Sequence, residues 1–221
     1  MGFAAGAPLP HMNDRSRFPV CRIQEPGRAM KILLVGVSCV GKTTVGQILA
    51  CRLKYHFFDL DHEVEKHFGA PIERLQARFM TDYMYRKKAA GVLKTLCDGC
   101  QDCVIALPPS GMRDAFLRVI RKLDCLVMAI EDTPDNILAR ITFYDADSRP
   151  IQKKLTAGEK RAYLRLIRKD VAYFGKTYKR ADLHVDISGL DAEGAAVKIE
   201  KALEEHGLAR GGDRGEEMRR R

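Results

Sequence analysis

The chain has 221 residues, a net charge of +9 and 46% hydrophobic residues. This length suits one globular domain with a sizeable core, and a second full domain is not expected. No apolar run approaches the roughly 20 residues that a membrane-spanning helix requires, and the first residues lack the apolar core of a signal peptide. We therefore predict a cytoplasmic protein without a membrane partner, in which the seven cysteines stay reduced.

In chain order, apolar runs alternate with segments of helical periodicity. Five runs read as strands: residues 31–37, 55–60, 103–107, 125–130 and 182–187. Five segments read as helices: residues 42–53, 81–96, 135–143, 160–174 and 191–205. The first strand is continuously apolar, as in a central parallel strand, whereas the last alternates and suits a sheet edge. The pattern predicts an α/β fold with a five-stranded parallel sheet and helices on both faces.

The two ends of the chain differ from this domain. Residues 1–29 are rich in Pro, Gly and Arg and show no periodicity, and residues 207–221 have a similar character. We predict that both are disordered, that Met30 is a plausible native start, and that the folded domain covers residues 30–206. Positive charge attracts many kinds of anion, but the aromatic residues form no stacking platform, so a nucleic-acid partner is not expected.

A phosphate-binding motif lies between the first strand and the first helix. Residues 36–43 read "GVSCVGKT", which matches G-x-x-x-x-G-K-[ST] in the strand-to-helix context that the motif requires. Glycine lets the backbone approach phosphate oxygens, and the helix presents its positive end to them. Lys42 is placed to reach the β- and γ-phosphates, and the Thr43 hydroxyl to bind Mg²⁺. The candidate ATP-binding residues are Gly36, Cys39, Val40, Gly41, Lys42, Thr43 and Thr44.

Two aspartates, Asp59 and Asp61, end the second predicted strand in "FFDLD". Ligands of open parallel sheets bind outside the carboxyl ends of the strands. One aspartate is thus placed to hold a Mg²⁺ shell, and the other to orient or deprotonate a substrate hydroxyl. The alternative is that an aspartate here only caps the following helix.

The order of these features resembles the shikimate kinase family over about residues 31–203. The phosphate loop is followed by the D-x-D segment, and "YRKKAAGVLKTL" resembles the helix that carries a substrate-binding arginine, here Arg86. "RP" at residues 149–150 resembles the family's lid motif, and "RKDVAYF" resembles the segment with a second carboxylate-binding arginine, here Arg168. The resemblance implies a monomeric P-loop kinase of the nucleoside-monophosphate-kinase type, with a lid at about residues 145–156.

The resemblance also implies a reaction: transfer of the γ-phosphate of ATP to a hydroxyl of shikimate, with Mg²⁺, in aromatic amino acid biosynthesis. Thr43 and Asp59 would hold the metal, and Asp61 would act on the reacting hydroxyl. Arg86 and Arg168 would bind the carboxylate of this small-molecule acceptor. Arg140 near the adenine and Arg149 near the phosphates would close over the nucleotide, and Lys42, Asp59, Asp61 and Arg149 form the implied catalytic set.

Two departures from the family fall among the residues that the resemblance assigns to the acceptor-binding half of the site, which we call the acceptor half. Where the family usually has three consecutive glycines after the third strand, this chain has Pro108, Pro109 and Ser110, and proline has no N–H to donate to a substrate. Ala89 stands where the family commonly places a glutamate that holds the substrate arginine. Pro109 is a candidate substrate-binding residue. The two departures favour a second possible function, that of a kinase for another hydroxylated metabolite.

Two further alternatives have less support. The chain could be a nucleotide-binding regulatory protein without phosphotransfer, but the intact Lys42, Thr43 and Asp59 argue against that loss. Cys97, Cys100 and Cys103 have the C-x-x-C spacing of metal ligands, but no fourth ligand follows in sequence, and cysteine is also a common small buried residue.

Overall fold

The central sheet is parallel and five-stranded, in the order β2-β3-β1-β4-β7. Its strands are β1 (Lys31–Val35), β2 (His56–Asp59), β3 (Cys103–Ala106), β4 (Leu126–Glu131) and β7 (Leu183–Asp186), and β5 (Phe143–Tyr144) pairs with β6 (Pro150–Ile151) in a separate antiparallel hairpin. The structure is a computed structural model that describes residues 30–144 and 150–206. The predicted fold class is confirmed.

Eight helices in the described residues connect and cover the strands. They are α1 (Lys42–Leu53), α2 (Leu60–Phe68), α3 (Ile72–Arg78), α4 (Asp82–Gly99), α5 (Asp114–Ile120), α6 (Pro134–Ala139), α7 (Ala157–Tyr178) and α8 (Ala192–Glu205). None of these helices is long and apolar enough to pass through a bilayer. Helices α1 and α8 pack together, as do α4 and α5, and the sheet lies between its helical layers.

Burial follows the position of each strand in the sheet. In the central strand β1, residues 32–35 have no exposed surface, because helices cover both of its faces. Strand β7 lies at the sheet edge, and there Val185 is buried while His184 and Asp186 are exposed. The sequence pattern predicted both placements.

Several local boundaries differ from the sequence expectation. The helix predicted over residues 135–143 ends at Ala139, because Phe143 pairs with Ile151 in the β5–β6 hairpin and needs an extended backbone. Helix α5 was not predicted, since a seven-residue helix shows too few turns for a clear periodicity. The predicted lid is described only from residue 150 onward, and the terminal segments 1–29 and 207–221 lie outside the described residues.

Within the described part of the chain, no group of three His, Cys, Asp or Glu residues is arranged to hold a metal ion. Cys97 and Cys103 are buried in the core, and Cys103 begins β3. Burial raises the pKa of the Cys97 thiol to about 11, so this thiol stays protonated at neutral pH.

Candidate active site

The phosphate loop, residues 36–43, connects β1 to α1 through backbone geometry that requires glycine. A Cβ at Gly36 would lie 2.8 Å from the carbonyl oxygen of Ile130 and 2.9 Å from Cγ1 of Val40. Gly41, the N-cap of α1, has φ 108°, a conformation that other residues rarely adopt. A side chain therefore has no room at Gly36, and at Gly41 the backbone conformation disfavours one.

Lys42 folds back over this loop. Its Nζ donates hydrogen bonds of 2.9 Å to the carbonyl oxygens of both Gly36 and Val37. Burial lowers the pKa of Lys42 to about 8, although the charges of Asp61 and Asp59 act in the opposite direction. The ammonium group is therefore mainly charged at neutral pH and is held at the phosphate loop.

Thr43 and Asp59 bring two oxygen ligands together at the carboxyl edge of the sheet. The Thr43 hydroxyl donates a 2.7 Å hydrogen bond to Oδ2 of Asp59, which ends β2. The other oxygen, Oδ1, accepts a 3.1 Å hydrogen bond from the Asp61 N–H and so caps α2. The capping role thus belongs to Asp59, in addition to its contact with Thr43. A hydroxyl and a carboxylate of this kind fit the oxygen preference of Mg²⁺.

Asp61 lies in the first turn of α2, beside Asp59 and Lys42. Burial, together with the charge of Asp59, raises the pKa of Asp61 to about 6, while Lys42 acts to lower it. Glu65 and Glu73 also contribute negative charge around it. A carboxylate with a pKa this close to neutrality suits a group that accepts a proton.

Arg86 projects from α4 toward α5. Its Nη2 donates a 2.9 Å hydrogen bond to Oδ2 of Asp114, the first residue of α5, and its Nη1 lies 3.9 Å from Oδ2 of Asp82. The sequence suggested no partner for Arg86 because Ala89 is apolar. Asp114 was missed because helix α5 was not predicted and its packing against α4 has no local sequence signal.

The acceptor loop, which we define as residues 107–113, joins β3 to α5 through a fixed turn. The Gly111 N–H donates to the Pro108 carbonyl oxygen at 2.8 Å, and a Cβ at Gly111 would lie 2.6 Å from Cβ of Leu107. The hydroxyl of Tyr178, at the end of α7, donates a 2.8 Å hydrogen bond to the Pro109 carbonyl oxygen. The loop is thus held both by its own turn and by a distant helix, a contact without any local sequence signal.

Arg140 follows α6 and lies against the phosphate loop. Its Nη1 donates to the Val40 carbonyl oxygen at 3.4 Å and to Oδ2 of Asp132, whose side chain has no exposed surface. Burial acts to raise the pKa of Asp132, but hydrogen bonds from Asn136 and Arg140 outweigh it and keep this pKa below its usual value. Arg140 is therefore anchored as a cation beside the nucleotide loop.

The remaining candidate site residues are Arg168, Arg149, Cys39, Val40 and Thr44. Arg168 is exposed on α7 and has no ion pair or hydrogen bond with the residues that the structure describes. Arg149 lies outside the described residues. Cys39 is exposed in the phosphate loop with φ 60°, and partial desolvation of its thiol raises the pKa of Cys39, although Lys42 acts to lower it. Val40 is buried and Thr44 is exposed.

Comparison with known proteins fits this arrangement. Residues 38–204 match the family model described as "Shikimate kinase". A shikimate kinase of Moorella thermoacetica is 30% identical over 176 residues, which cover 78% of this chain and 93% of that protein. The crystal structure of shikimate kinase from Aquifex aeolicus superposes with a TM-score of 0.59 at 27% identity, and covers 81% of this chain and 99% of that one.

A second solved structure, shikimate kinase from Acinetobacter baumannii in complex with shikimate, gives a TM-score of 0.63 at 26% identity. It covers 81% of this chain and 96% of the other. Residues 38–43 of the phosphate loop, the Thr43–Asp59 pair and Asp61 lie within the matched region. The chain belongs to the shikimate kinase family and is a kinase of this type.

Proposed function

We propose that this protein transfers the γ-phosphate of ATP to a hydroxyl of shikimate. The observation that carries the proposal is the contact between Thr43 and Asp59 at 2.7 Å, with Asp61 two residues beyond Asp59 on α2. This contact joins the phosphate loop to the D-x-D segment. The proposal is supported by this proximity, because phosphoryl transfer needs a proton-accepting group near the groups that bind phosphate and metal.

In this proposal the nucleotide-binding half of the site, which we call the nucleotide half, binds the phosphates mainly through charge. The phosphate loop supplies backbone N–H groups and the N-terminal end of α1 to the phosphates. Lys42 exchanges its contacts with the Gly36 and Val37 carbonyl oxygens for contacts with phosphate oxygens. Arg140, beside the Val40 carbonyl oxygen, faces the nucleotide from the end of α6.

Mg²⁺ would be held by Thr43 and Asp59, and when bound it supplies charge neutralisation at the transferring phosphate. Asp59 remains in place for this role because the N–H of Asp61 fixes its second oxygen. Its capping contact therefore also orients a metal ligand.

In the acceptor half, Asp61 takes the proton of the attacking hydroxyl, which a pKa near neutrality allows. Arg86 binds the acceptor carboxylate with its planar guanidinium, and Arg168 is the proposed second cation. Pro109 lies in the wall that follows β3. Arg149 in the proposed lid, at about residues 145–156, would close over the phosphates and exclude water.

A second candidate function is phosphorylation of another hydroxylated carboxylic acid. The specific observation in its favour is the acceptor loop, in which Pro108 and Pro109 have no N–H and the Gly111 N–H is used within the turn. An acceptor that depends on backbone donors from this loop would bind more weakly here.

The test is an acceptor panel at fixed ATP and Mg²⁺, with ADP formation as the readout. We expect shikimate to stimulate ADP release well above the background ATPase rate, and mass spectrometry to show a product heavier by one phosphate. Stimulation by a different hydroxy acid and not by shikimate would establish the second candidate. ATP binding without any stimulated turnover would contradict both.

A further inference from the structure

We propose that Asp114 is a positioning residue that orients Arg86 toward the carboxylate of the acceptor. The inference rests on the proposed function of Arg86 as the carboxylate-binding residue. It adds a residue from a different helix, 28 positions along the chain, as the group that fixes the geometry of that arginine.

The contact between the two residues is short and partly enclosed. Nη2 of Arg86 lies 2.9 Å from Oδ2 of Asp114, and the Arg86 side chain is only 14% exposed. Asp82, on the same helix as Arg86, is 3.9 Å away and 91% exposed, so water screens it strongly. Ala89, one turn after Arg86, offers no polar group. Among these neighbours Asp114 alone can hold the guanidinium in one orientation.

The guanidinium held in this way has an unused donor. Among the described residues, Nε of Arg86 is the one buried side-chain nitrogen or oxygen without a hydrogen-bond partner. Buried donors are nearly always paired, so this nitrogen indicates a partner that binds from outside the protein. Nε and Nη2 form one edge of the guanidinium fork, and a carboxylate is the group that this edge binds best.

The contact between Arg86 and Asp114 lies directly beside the acceptor loop. Asp114 follows Arg113, the last residue of the loop, and has φ 41°. Aspartate and asparagine tolerate this left-handed conformation better than most other side chains do. Asparagine is therefore a substitution that preserves the backbone while it removes the charge.

The first experiment compares Asp114→Asn with the wild-type enzyme. We expect the KM for shikimate to rise about tenfold because Arg86 loses its charged partner, while the KM for ATP stays unchanged and kcat stays within about threefold. Asp82→Asn is the matched control, since it also removes a carboxylate near Arg86, and its acceptor KM should change less than twofold.

The second experiment separates positioning from a structural role. Shikimate affinity is measured by calorimetric titration for Arg86→Ala, Asp114→Asn and the double variant. If Asp114 acts through Arg86, the Asp114→Asn change alters affinity less than twofold once Arg86 is absent. Independent effects that add in the double variant would overturn the proposal.

The outcomes also separate this inference from the proposed function. If shikimate is phosphorylated but its KM is unchanged in Asp114→Asn, the positioning role is wrong and the function stands. If another hydroxy acid is the acceptor and its KM rises in Asp114→Asn, the positioning role stands and shikimate is wrong. If no acceptor with a carboxylate is found, both are overturned.

Discussion

The nucleotide half and the acceptor half of the site are built in different ways. The nucleotide half consists mainly of one continuous segment, residues 36–43, with Asp59 joined to it through Thr43. The acceptor half depends on contacts between distant elements, such as Arg86 with Asp114 and Tyr178 with Pro109. Under the proposed function, a local loop specifies phosphate binding, whereas acceptor binding depends on how helices α4, α5 and α7 are placed.

The comparison is tested most strongly by removing Lys42. Lys42→Ala should lower kcat about 10³-fold, because a preorganised charge at the phosphates is lost. Unfolding should change little, with a shift in melting temperature below about 4 °C, since Lys42 bonds only to the carbonyl oxygens of its own loop. Lys66→Ala, at an exposed position on α2, is the control and should retain full turnover. A kcat within tenfold of wild type for Lys42→Ala would contradict the role of the loop.

Asp61→Asn connects the two halves and should have the second largest effect. We expect kcat to fall about 10²- to 10³-fold as the proton acceptor is lost. The folded pKa of Asp61 is raised from 3.8 to about 6, so the free energy of unfolding falls as the pH rises through this range, and the full destabilisation is present above about pH 6. Removal of the Asp61 carboxylate should therefore raise the free energy of unfolding at pH 7 by about 1–3 kcal/mol, measured by urea denaturation.

Glu63→Gln is the matched control for this variant, because Glu63 lies in the same first turn of α2. It removes the same charge from the helix end without touching the reacting groups. A stability gain equal to that of Asp61→Asn would assign the effect to the helix dipole rather than to the site.

The pH dependence of kcat/KM should be bell-shaped. Activity falls below about pH 6, by about tenfold per pH unit, as Asp61 becomes protonated. It falls again above about pH 8, because the lowered pKa of Lys42 lets this residue lose its charge there. The residual activity of Asp61→Asn should lack the acid limb. A profile that stays flat from pH 5 to 7 would rule out Asp61 as the titrating base.

Pro109→Gly tests the departure in the acceptor half by restoring one backbone N–H. If shikimate uses this amide, its KM should fall about two- to tenfold, the effect of one neutral hydrogen bond, with no change in the KM for ATP. Pro71→Gly, at the start of α3, is the control for added chain flexibility. An unchanged acceptor KM would mean that the natural substrate does not depend on this amide, in favour of the second candidate function.

Tyr178→Phe should give the smallest change. Loss of the 2.8 Å hydrogen bond to the Pro109 carbonyl oxygen costs about 1 kcal/mol, or about 2–4 °C in melting temperature, because Tyr178 is only 4% exposed. Tyr173→Phe is the paired variant, since its hydroxyl accepts a hydrogen bond from Arg113 at a surface that is 54% exposed. A melting temperature of Tyr178→Phe equal to that of the wild type would show that α7 does not hold the acceptor loop through Pro109.

The sequence by itself determined the sheet and the phosphate site. Central strands buried on both faces must be continuously apolar, so β1 was visible as a strand and β7 as an edge. Gly36, Gly41, Lys42 and Thr43 were identifiable because a phosphate loop is a local backbone structure with fixed spacing. Asp59 and Asp61 could be predicted because they end a strand at the edge where parallel sheets bind ligands.

The tertiary structure alone decided the partners in the acceptor half. Asp114 meets Arg86 only because α4 and α5 pack together, and no periodicity in the sequence records that approach. In the same way, Tyr178 reaches Pro109 across 69 residues of chain. Local motifs carry their geometry in the order of residues, whereas contacts between helices depend on the packing of the whole domain. The acceptor half was therefore the part of the site that the sequence left open.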